Sequence, residues 1–383
     1  MLNVVAILDS FKGSLSSLEA GTAVADGVHR VYPNARVTVL PLADGGEGTV
    51  DALVAGCNGK KITALVCDPL GRTIEAEYGI LENGTAVIEM AAAAGLPLLA
   101  KHERNPMETT TYGVGELIKD AIGRGCRKFL LGIGGSATND GGVGMLQALG
   151  FSFLDGEGNE IPRGAKGLAM LEKIQTDGAL AFLKECEFCV ACYVTNPLCG
   201  PQGCSAVFAP QKGADVQMIG QMDMGLAHYA AVTHALLPYA DPEVPGAGAA
   251  GGMGFAALAY LNASLQSGIS LVLDALHAES YIRNCDVVIT GEGRLDGQSA
   301  MGKAPLGVAN LAKKHGKPVV ALAGCITEDA VKLNAMGIDA FFPILPTVMN
   351  LDEAMSHEVA RKNLTNTAEQ VFLLIKTFRT EKR

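Results

Sequence analysis

The chain has 383 residues, 49% of them hydrophobic, and a formal net charge of −10. This length exceeds what one hydrophobic core usually organises, so we expect two domains with a cleft between them. The acidic balance and the lack of a Lys/Arg-rich stripe argue against a nucleic-acid partner, whose phosphates require a basic surface. No apolar run approaches the roughly 20 residues of a membrane-spanning helix, so no membrane partner is expected either.

The start of the sequence and its cysteines predict a cytoplasmic protein. Residues 2–8 are strand-like without a basic leader, and Asp9 stands where a signal peptide would still be apolar. The ten cysteines show no regular pairing, and the cytoplasm keeps such thiols reduced. Cys186, Cys189 and Cys192 lie in a strand-like run that puts neighbours on opposite faces, so we interpret them as buried thiols.

The N-terminal region alternates strand-like and helical patterns. These runs are residues 4–8, 16–31, 36–41 and 49–55. Ser16, followed three residues later by Glu19, forms a capping-box pattern that predicts the start of the first helix. The alternation is typical of a parallel sheet with crossover helices.

The pattern changes near residue 68 and returns near residue 285. Asn83-Gly84 predicts a hairpin turn between two strand-like runs. Further strand-like runs alternate with helical patterns late in the chain, at residues 286–290, 319–323 and 340–345. We therefore predict one doubly wound α/β domain from residues 1–67 and 285–383, with residues 68–284 inserted as a second α/β domain.

Five loops after apolar strands concentrate glycine with polar and charged residues. They are residues 9–16, 43–49, 132–142, 195–203 and 290–299. Open α/β sheets bind ligands at such loops. Glycine lets the backbone approach phosphate oxygens, cations neutralise developing charge, and carboxylates hold a metal ion or orient a nucleophile. Together the loops predict phosphoryl-transfer chemistry.

Two further glycine patterns are weaker. Residues 297–303 have P-loop spacing, but Ala304 stands where a Mg²⁺-binding Ser or Thr is required, so we interpret them as a phosphate-loop analogue. Residues 246–251 match the dinucleotide pattern G-x-G-x-x-G. Pro242 and Pro245 precede them, however, and prolines so placed do not form a central strand.

At the loops the sequence resembles the bacterial class I glycerate kinases over essentially its whole length. The segments that carry the resemblance are residues 9–16, 43–49, 132–142, 245–254 and 290–294. The resemblance implies a flavodoxin-like domain interrupted by a second α/β domain. It also implies ATP and Mg²⁺ as co-substrate and cofactor, D-glycerate as acceptor, and 2-phosphoglycerate as product.

The residues themselves support an anionic substrate held by cations, with carboxylates available for a metal ion or a hydroxyl. The catalytic candidates are Lys12, Asp44, Arg294 and Asp296. The candidates for substrate or nucleotide binding are Ser10, Ser14, Gly45, Gly46, Glu47, Gly134, Gly135, Ser136, Thr138, Asn139, Asn196, Glu292 and Lys303. Asp140 is the metal-ligand candidate.

Tyr193 departs from the resemblance, because the glycerate kinases usually have Asp directly before the Val-Thr-Asn-Pro-Leu run. The phenol either occupies a functional position or packs into the interior as part of a strand. The alternatives to a glycerate kinase are a kinase for a related hydroxy-acid, a catalytically weakened ligand-binding homologue, and a dinucleotide oxidoreductase. A homo-oligomer is left open by the sequence.

Overall fold

The computed structural model describes residues 1–297 and 303–380. The chain forms two compact units. Unit 1 contains Met1–Asp44, Asp51–Cys57 and the chain from Ile269 onward, and unit 2 contains Gly45–Val50 and Asn58–Gly268.

The described residues form strands and α-helices in a mixed α/β arrangement, which confirms the predicted fold class. The strands are β1 (Asn3–Leu8), β2 (Arg36–Val39), β3 (Lys60–Cys67), β4 (Thr73–Ile80), β5 (Thr85–Glu89), β6 (Lys128–Gly132), β7 (Ser152–Leu154), β8 (Lys173–Gln175), β9 (Glu187–Ala191), β10 (Ser264–Gln266), β11 (Val287–Leu295), β12 (Val319–Ile326) and β13 (Ala340–Pro343). The helices are α1 (Ser17–Val31), α2 (Thr49–Gly56), α3 (Ala91–Ala94), α4 (Tyr112–Gly123), α5 (Val143–Ala148), α6 (Cys204–Phe208), α7 (Val216–Leu236), α8 (Ala249–Tyr260), α9 (Gly268–Ala275), α10 (Ala278–Arg283), α11 (Ala304–Lys314), α12 (Lys332–Ala335), α13 (Leu351–Met355) and α14 (His357–Thr380).

Unit 1 is built on a five-stranded parallel sheet of order β13-β12-β11-β1-β2. Numbered within the unit, this is the flavodoxin-like order 2-1-3-4-5, whose direction reverses between β1 and β11. Val4 and Ala6 of β1 belong to the core formed with α1 and α14. Val5 and Ile7, which point to the opposite face, are also buried, so the central strand is covered on both sides.

Helix α1 begins as its capping-box pattern predicts. The Ser16 hydroxyl accepts from the Glu19 backbone N–H, and the Glu19 carboxylate accepts from the Ser16 backbone N–H at 2.9 Å. Both donors would otherwise lack a partner in the first helical turn. This cap fixes the point at which the loop after β1 ends.

Unit 2 is built on a mixed six-stranded sheet of order β10-β9-β6-β5-β4-β3. The pairs from β3 to β5 are antiparallel, and those from β5 to β10 are parallel. The predicted hairpin at Asn83-Gly84 is confirmed, since it joins the antiparallel β4 and β5 and Gly84 adopts φ +79°. At the parallel edge, Gly132 of β6 and Ala191 of β9 lie side by side at the carboxyl ends of their strands.

The chain passes between the units at positions other than the predicted 67/68 and 284/285. Strand β3 pairs with β4 from Lys60 to Cys67, which places it in unit 2, so the long unit 2 stretch begins at Asn58, after the short segment Gly45–Val50. That stretch ends at Gly268, so most of α9 and all of α10 belong to unit 1. None of the helices in the described part of the chain has the length and apolarity that a membrane span requires.

Candidate active site

A cavity of about 610 Å³ lies in unit 1 at the carboxyl ends of β1 and β11. Its walls include Asp9–Lys12 and Ser14, which follow β1, and Glu292–Arg294 and Asp296, at the end of β11. Open α/β sheets bind their ligands at this point of reversed strand order, and the volume is within the range of ligand pockets, about 300–1,000 Å³. The fold therefore marks this cavity as the first candidate site.

The loop after β1 closes into a tight turn at the cavity wall. Phe11 N donates to Leu15 O at 2.9 Å, and Ser14 N donates to Phe11 O at 2.8 Å. Gly13 adopts φ +76°, a left-handed conformation that favours glycine. The turn exposes Lys12. Ser14 Oγ is buried and has no hydrogen-bond partner among the described residues, so it is available to a ligand.

Asp9 is a carboxylate of this cavity whose pKa its surroundings raise. It is 8% exposed, its backbone N–H donates to Gly291 O at 2.9 Å, and its Oδ1 accepts from Ser10 N at 2.7 Å. Burial first, then the negative charges of Asp44 and Glu292, raise its pKa to about 7, against the opposing effects of Ser10 N and Lys12. Asp9 therefore exchanges a proton near neutral pH.

Three cations line the same cavity: Lys12, Arg294 and Lys303. Arg294 is largely exposed and forms an ion pair with Asp296 at 3.3 Å. Lys303 immediately precedes helix α11, whose N-terminal dipole favours anions. Residues 298–302 of the phosphate-loop analogue lie outside the described residues.

The rest of the cavity wall is apolar. It is formed by Phe11, Ile344, Leu345, Met349, Leu351, Ala354, Met355 and Ala360. An apolar wall beside a cluster of cations and carboxylates suits a ligand with a flat organic part and an anionic part.

The unit 1 cavity brings together eight of the residues singled out in the sequence. They are Ser10, Lys12, Ser14, Asp44, Glu292, Arg294, Asp296 and Lys303. Asp9 also lines it, although the sequence indicated only its loop. Its signal was its position directly after the apolar residues of β1.

A second cavity, of about 290 Å³, lies within unit 2 at the carboxyl ends of β6 and β9. The predicted residues Gly134, Gly135 and Ser136 line it, together with Tyr193. Tyr193 follows β9 and is 65% exposed, which excludes an interior position for its side chain. Lys212 also lines this cavity, and nothing in the sequence singled it out.

The hydrogen bonds of Asp140 indicate a structural role for its side chain. It is fully buried, and its oxygens accept from the backbone N–H groups of Thr111, Gly142 and Gly144 and from two threonine hydroxyls. These donors hold the loop after β6 against α4 and α5, and they leave the predicted metal contact without support. Among the described residues, no group of three or more His, Cys, Asp or Glu side chains lies close enough to hold a metal ion.

The remaining predicted residues lie outside the described lining of both cavities. Asn139 is buried and donates to Ser205 Oγ at 2.8 Å, and Asn196 donates to Gln202 O at 2.8 Å. Thr138 is buried in the loop after β6. Gly45, Gly46 and Glu47 form the start of the unit 2 segment, where Gly45, at φ +92°, packs against Ala191.

The fold and the unit 1 cavity define a class: an α/β protein with a flavodoxin-like sheet and, at its switch point, a cavity lined by cations and carboxylates. Residues 4–376 match the model of the glycerate kinase family. The chain therefore belongs to the glycerate kinase family, and by that membership it is an enzyme, a kinase.

Several known proteins are similar in sequence to this chain over nearly its full length. The chain is 49% identical to glycerate 2-kinase of Escherichia coli K12, with 92% of this chain and 93% of that protein covered. It is 46% identical to glycerate kinase of Bacillus subtilis 168, with 99% of each covered. A crystal structure of a Salmonella typhimurium LT2 protein assigned as glycerate kinase 2 is 44% identical and superposes with a TM-score of 0.91, covering 99% of each chain.

Proposed function

We propose that this enzyme transfers the γ-phosphoryl group of ATP to D-glycerate at its 2-hydroxyl, giving 2-phosphoglycerate. The observation that carries the proposal is the set of three cations and several carboxylates around the unit 1 cavity. The similarity to glycerate 2-kinase of Escherichia coli supports the choice of hydroxyl. The reducing environment suited to ten free thiols supports a cytoplasmic location.

The unit 1 cavity suits ATP. The apolar wall around Leu345, Met349 and Met355 fits the adenine ring, and Lys12 and Lys303 are the cations for its phosphates. The N-terminus of α11 adds a favourable dipole beside Lys303. The buried Ser14 Oγ, which has no partner among the described residues, supplies a further donor.

The donor chemistry of this cavity also fits Mg²⁺. Mg²⁺ usually binds one or two protein carboxylates and completes its shell with waters and substrate phosphates, so a ready-made group of three protein ligands is not required. Asp44 and Glu292 line the cavity, and both act electrostatically on Asp9. We assign them to Mg²⁺, which when bound would neutralise phosphate charge.

Asp9 is the proposed general base. It is buried, lines the cavity and has a pKa of about 7, which suits a group that accepts the hydroxyl proton at neutral pH. Lys12 and Arg294 stabilise the negative charge of the transferring phosphoryl group.

The proposed function is tested by incubating the chain with MgATP and D-glycerate and identifying the product by ³¹P and ¹³C NMR. We expect ADP and 2-phosphoglycerate in equal amounts. 3-Phosphoglycerate would overturn the choice of hydroxyl. ADP release with hydroxypyruvate, tartronate or an aldonate but not with D-glycerate would assign a related acid, and the absence of ADP release with every acid would overturn the kinase proposal.

The pH dependence of kcat/KM should follow the protonation of Asp9. Below its pKa of about 7 the carboxyl is protonated and accepts no proton, so kcat/KM should fall about tenfold per pH unit on the acid side and level off above neutral pH. Bound Mg²⁺ favours the ionised carboxylate, so the acid limb of kcat should lie at lower pH than that of kcat/KM. A flat kcat/KM profile between pH 5 and 8 would contradict this assignment.

The exposed Tyr193 favours a second candidate, a catalytically weakened homologue. A neutral phenol replaces the usual carboxylate where the chain leaves β9. If that carboxylate matters, Tyr193→Asp should raise kcat for D-glycerate, whereas Tyr193→Phe should leave it unchanged. Equal or lower kcat in Tyr193→Asp, in a variant shown to be folded, would count against this candidate.

A further inference from the structure

Lys212 is a buried cation that the reaction described above does not use. It is 2% exposed and ends the short 3-10 turn Pro210–Lys212 in unit 2. Its Nζ donates to Ser136 Oγ at 2.8 Å and to Thr138 O at 2.6 Å. Both acceptors are neutral, and an ammonium group has three N–H donors.

The structure gives Lys212 no carboxylate partner among the described residues. The negative charge of Asp140 acts on it from a distance, but Asp140 is held by its own five donors. Burial lowers the pKa of Lys212 to about 8, the sign expected of an ammonium group that lacks a counter-ion. A buried charge without a partner is destabilising.

The unit 2 cavity places this cation beside open space. At about 290 Å³ it is less than half the volume of the unit 1 cavity. Among the described residues that line it, Lys212 is the only formally charged one, and Ser136, Tyr193 and Gln211 are polar. The site therefore offers one positive charge and several neutral hydrogen-bonding groups.

The glycine pattern at residues 246–251 helps to build this site. Ala250, Gly251 and Gly252 adopt three successive left-handed conformations, and Ala250 lines the cavity. A Cβ atom at Gly251 would lie 2.1 Å from Thr138 O, the carbonyl that accepts from Lys212. The glycine therefore permits backbone packing that holds this acceptor in place. Ala250, a non-glycine residue at φ +54°, is strained, and such strain is concentrated at functional sites.

Charge matching separates the ligands of the two cavities. A polyphosphate needs several cations, which the unit 1 cavity supplies. One buried ammonium in a small cavity matches a single negative charge on a small molecule. We propose that the unit 2 cavity binds the carboxylate of the acid substrate, with Lys212 Nζ as its cation and Ser136 Oγ as a hydrogen-bonding group. The identity of that acid rests on the proposed function.

The test is calorimetric titration of the full chain with D-glycerate in the presence of a saturating, non-hydrolysable ATP analogue. Lys212→Met keeps the length of the side chain and removes its charge. Since losing one partner of a buried charge pair costs several kcal/mol, we expect D-glycerate affinity to fall about 30-fold or more. ADP affinity should stay within twofold. Lys173→Met, at an exposed position on β8, is the matched control and should bind both ligands as the wild type does.

D-Glycerate affinity within threefold of wild type in Lys212→Met would overturn the proposal. Loss of ADP affinity with D-glycerate binding retained would overturn it too, because the bound anion would then be a phosphate. If Lys212→Met does not fold, hydrogen exchange of the wild-type protein with and without D-glycerate tests the proposal instead. D-Glycerate should protect residues 133–138 and 209–213, and protection absent from both segments would overturn the assignment.

This outcome is separable from that of the proposed function. Lys212-dependent binding of D-glycerate without phosphorylation would support the carboxylate site while the kinase proposal fails. Phosphorylation of D-glycerate with an unchanged KM in a folded Lys212→Met variant would support the kinase proposal and overturn the carboxylate site. No D-glycerate binding and no turnover by the wild type would overturn both.

Discussion

Replacing Asp9 with asparagine should lower kcat for D-glycerate by about 10²–10⁴-fold, the usual contribution of a general base. The amide has nearly the same shape as the carboxylate but accepts no proton. The variant should be at least as stable as wild type at pH 7. Burial and the charges of Asp44 and Glu292 raise the pKa of Asp9, so its ionised form is disfavoured in the fold. Steady-state kinetics and urea unfolding measure the two effects.

Asp274→Asn provides the control, since Asp274 is exposed on α9 and does not line the unit 1 cavity. It should change neither kcat nor stability. The acid limb of the kcat/KM profile should disappear in Asp9→Asn and remain in Asp274→Asn. Turnover of Asp9→Asn within threefold of wild type would exclude Asp9 as the base.

Replacing Lys12 with alanine should lower kcat/KM for MgATP by about 100-fold or more, the effect of removing one group that stabilises developing charge. Lys12 is exposed at the tip of the turn after β1 and packs against no core, so the free energy of unfolding should stay within about 0.5 kcal/mol of wild type. Initial-rate kinetics with varied MgATP and urea unfolding separate the two quantities.

Lys314→Ala, an exposed cation in the last turn of α11, is the control for a general loss of positive charge. Arg294→Ala tests the second cation of the same cavity, whose ion pair with Asp296 is also lost. Wild-type kcat/KM in both Lys12→Ala and Arg294→Ala would show that these side chains are ordinary surface charges and would remove the support for phosphate binding in unit 1.

Local sequence signals predicted the elements that local interactions determine. The Ser16–Glu19 box and the Asn83-Gly84 turn are each complete within a few residues, and both were confirmed. The start of the long unit 2 stretch, at Asn58, was harder to locate. Strand β3 follows α2 in the βα pattern, but its partner is β4, and pairing between strands is not encoded in the periodicity of one strand.

The site was predictable where its residues follow strands of a parallel sheet, because the carboxyl ends of such strands meet at one edge. Lys12 and Asp44 follow β1 and β2, and Arg294 lies near the carboxyl end of β11. Lys212 does not follow a strand, since it lies in a short turn between α6 and α7. A lysine beside a glycine is predicted to be exposed. Its burial results from tertiary packing against Ser136 and Thr138, which the sequence does not show.

The pairing of β1 with β11 also constrains how the chain reaches its fold. Val4 aligns with Val287, so the central pair of the unit 1 sheet forms only after most of the chain has been synthesised. Unit 2 consists mainly of the continuous stretch from Asn58 to Gly268 and has all of its strands by then. During translation, β1 and β2 emerge first. The apolar edge of β1 that pairs with β11 stays unpaired until β11 has been synthesised. We therefore expect the earliest residues of the nascent chain to be exposed to aggregation until β11 is made.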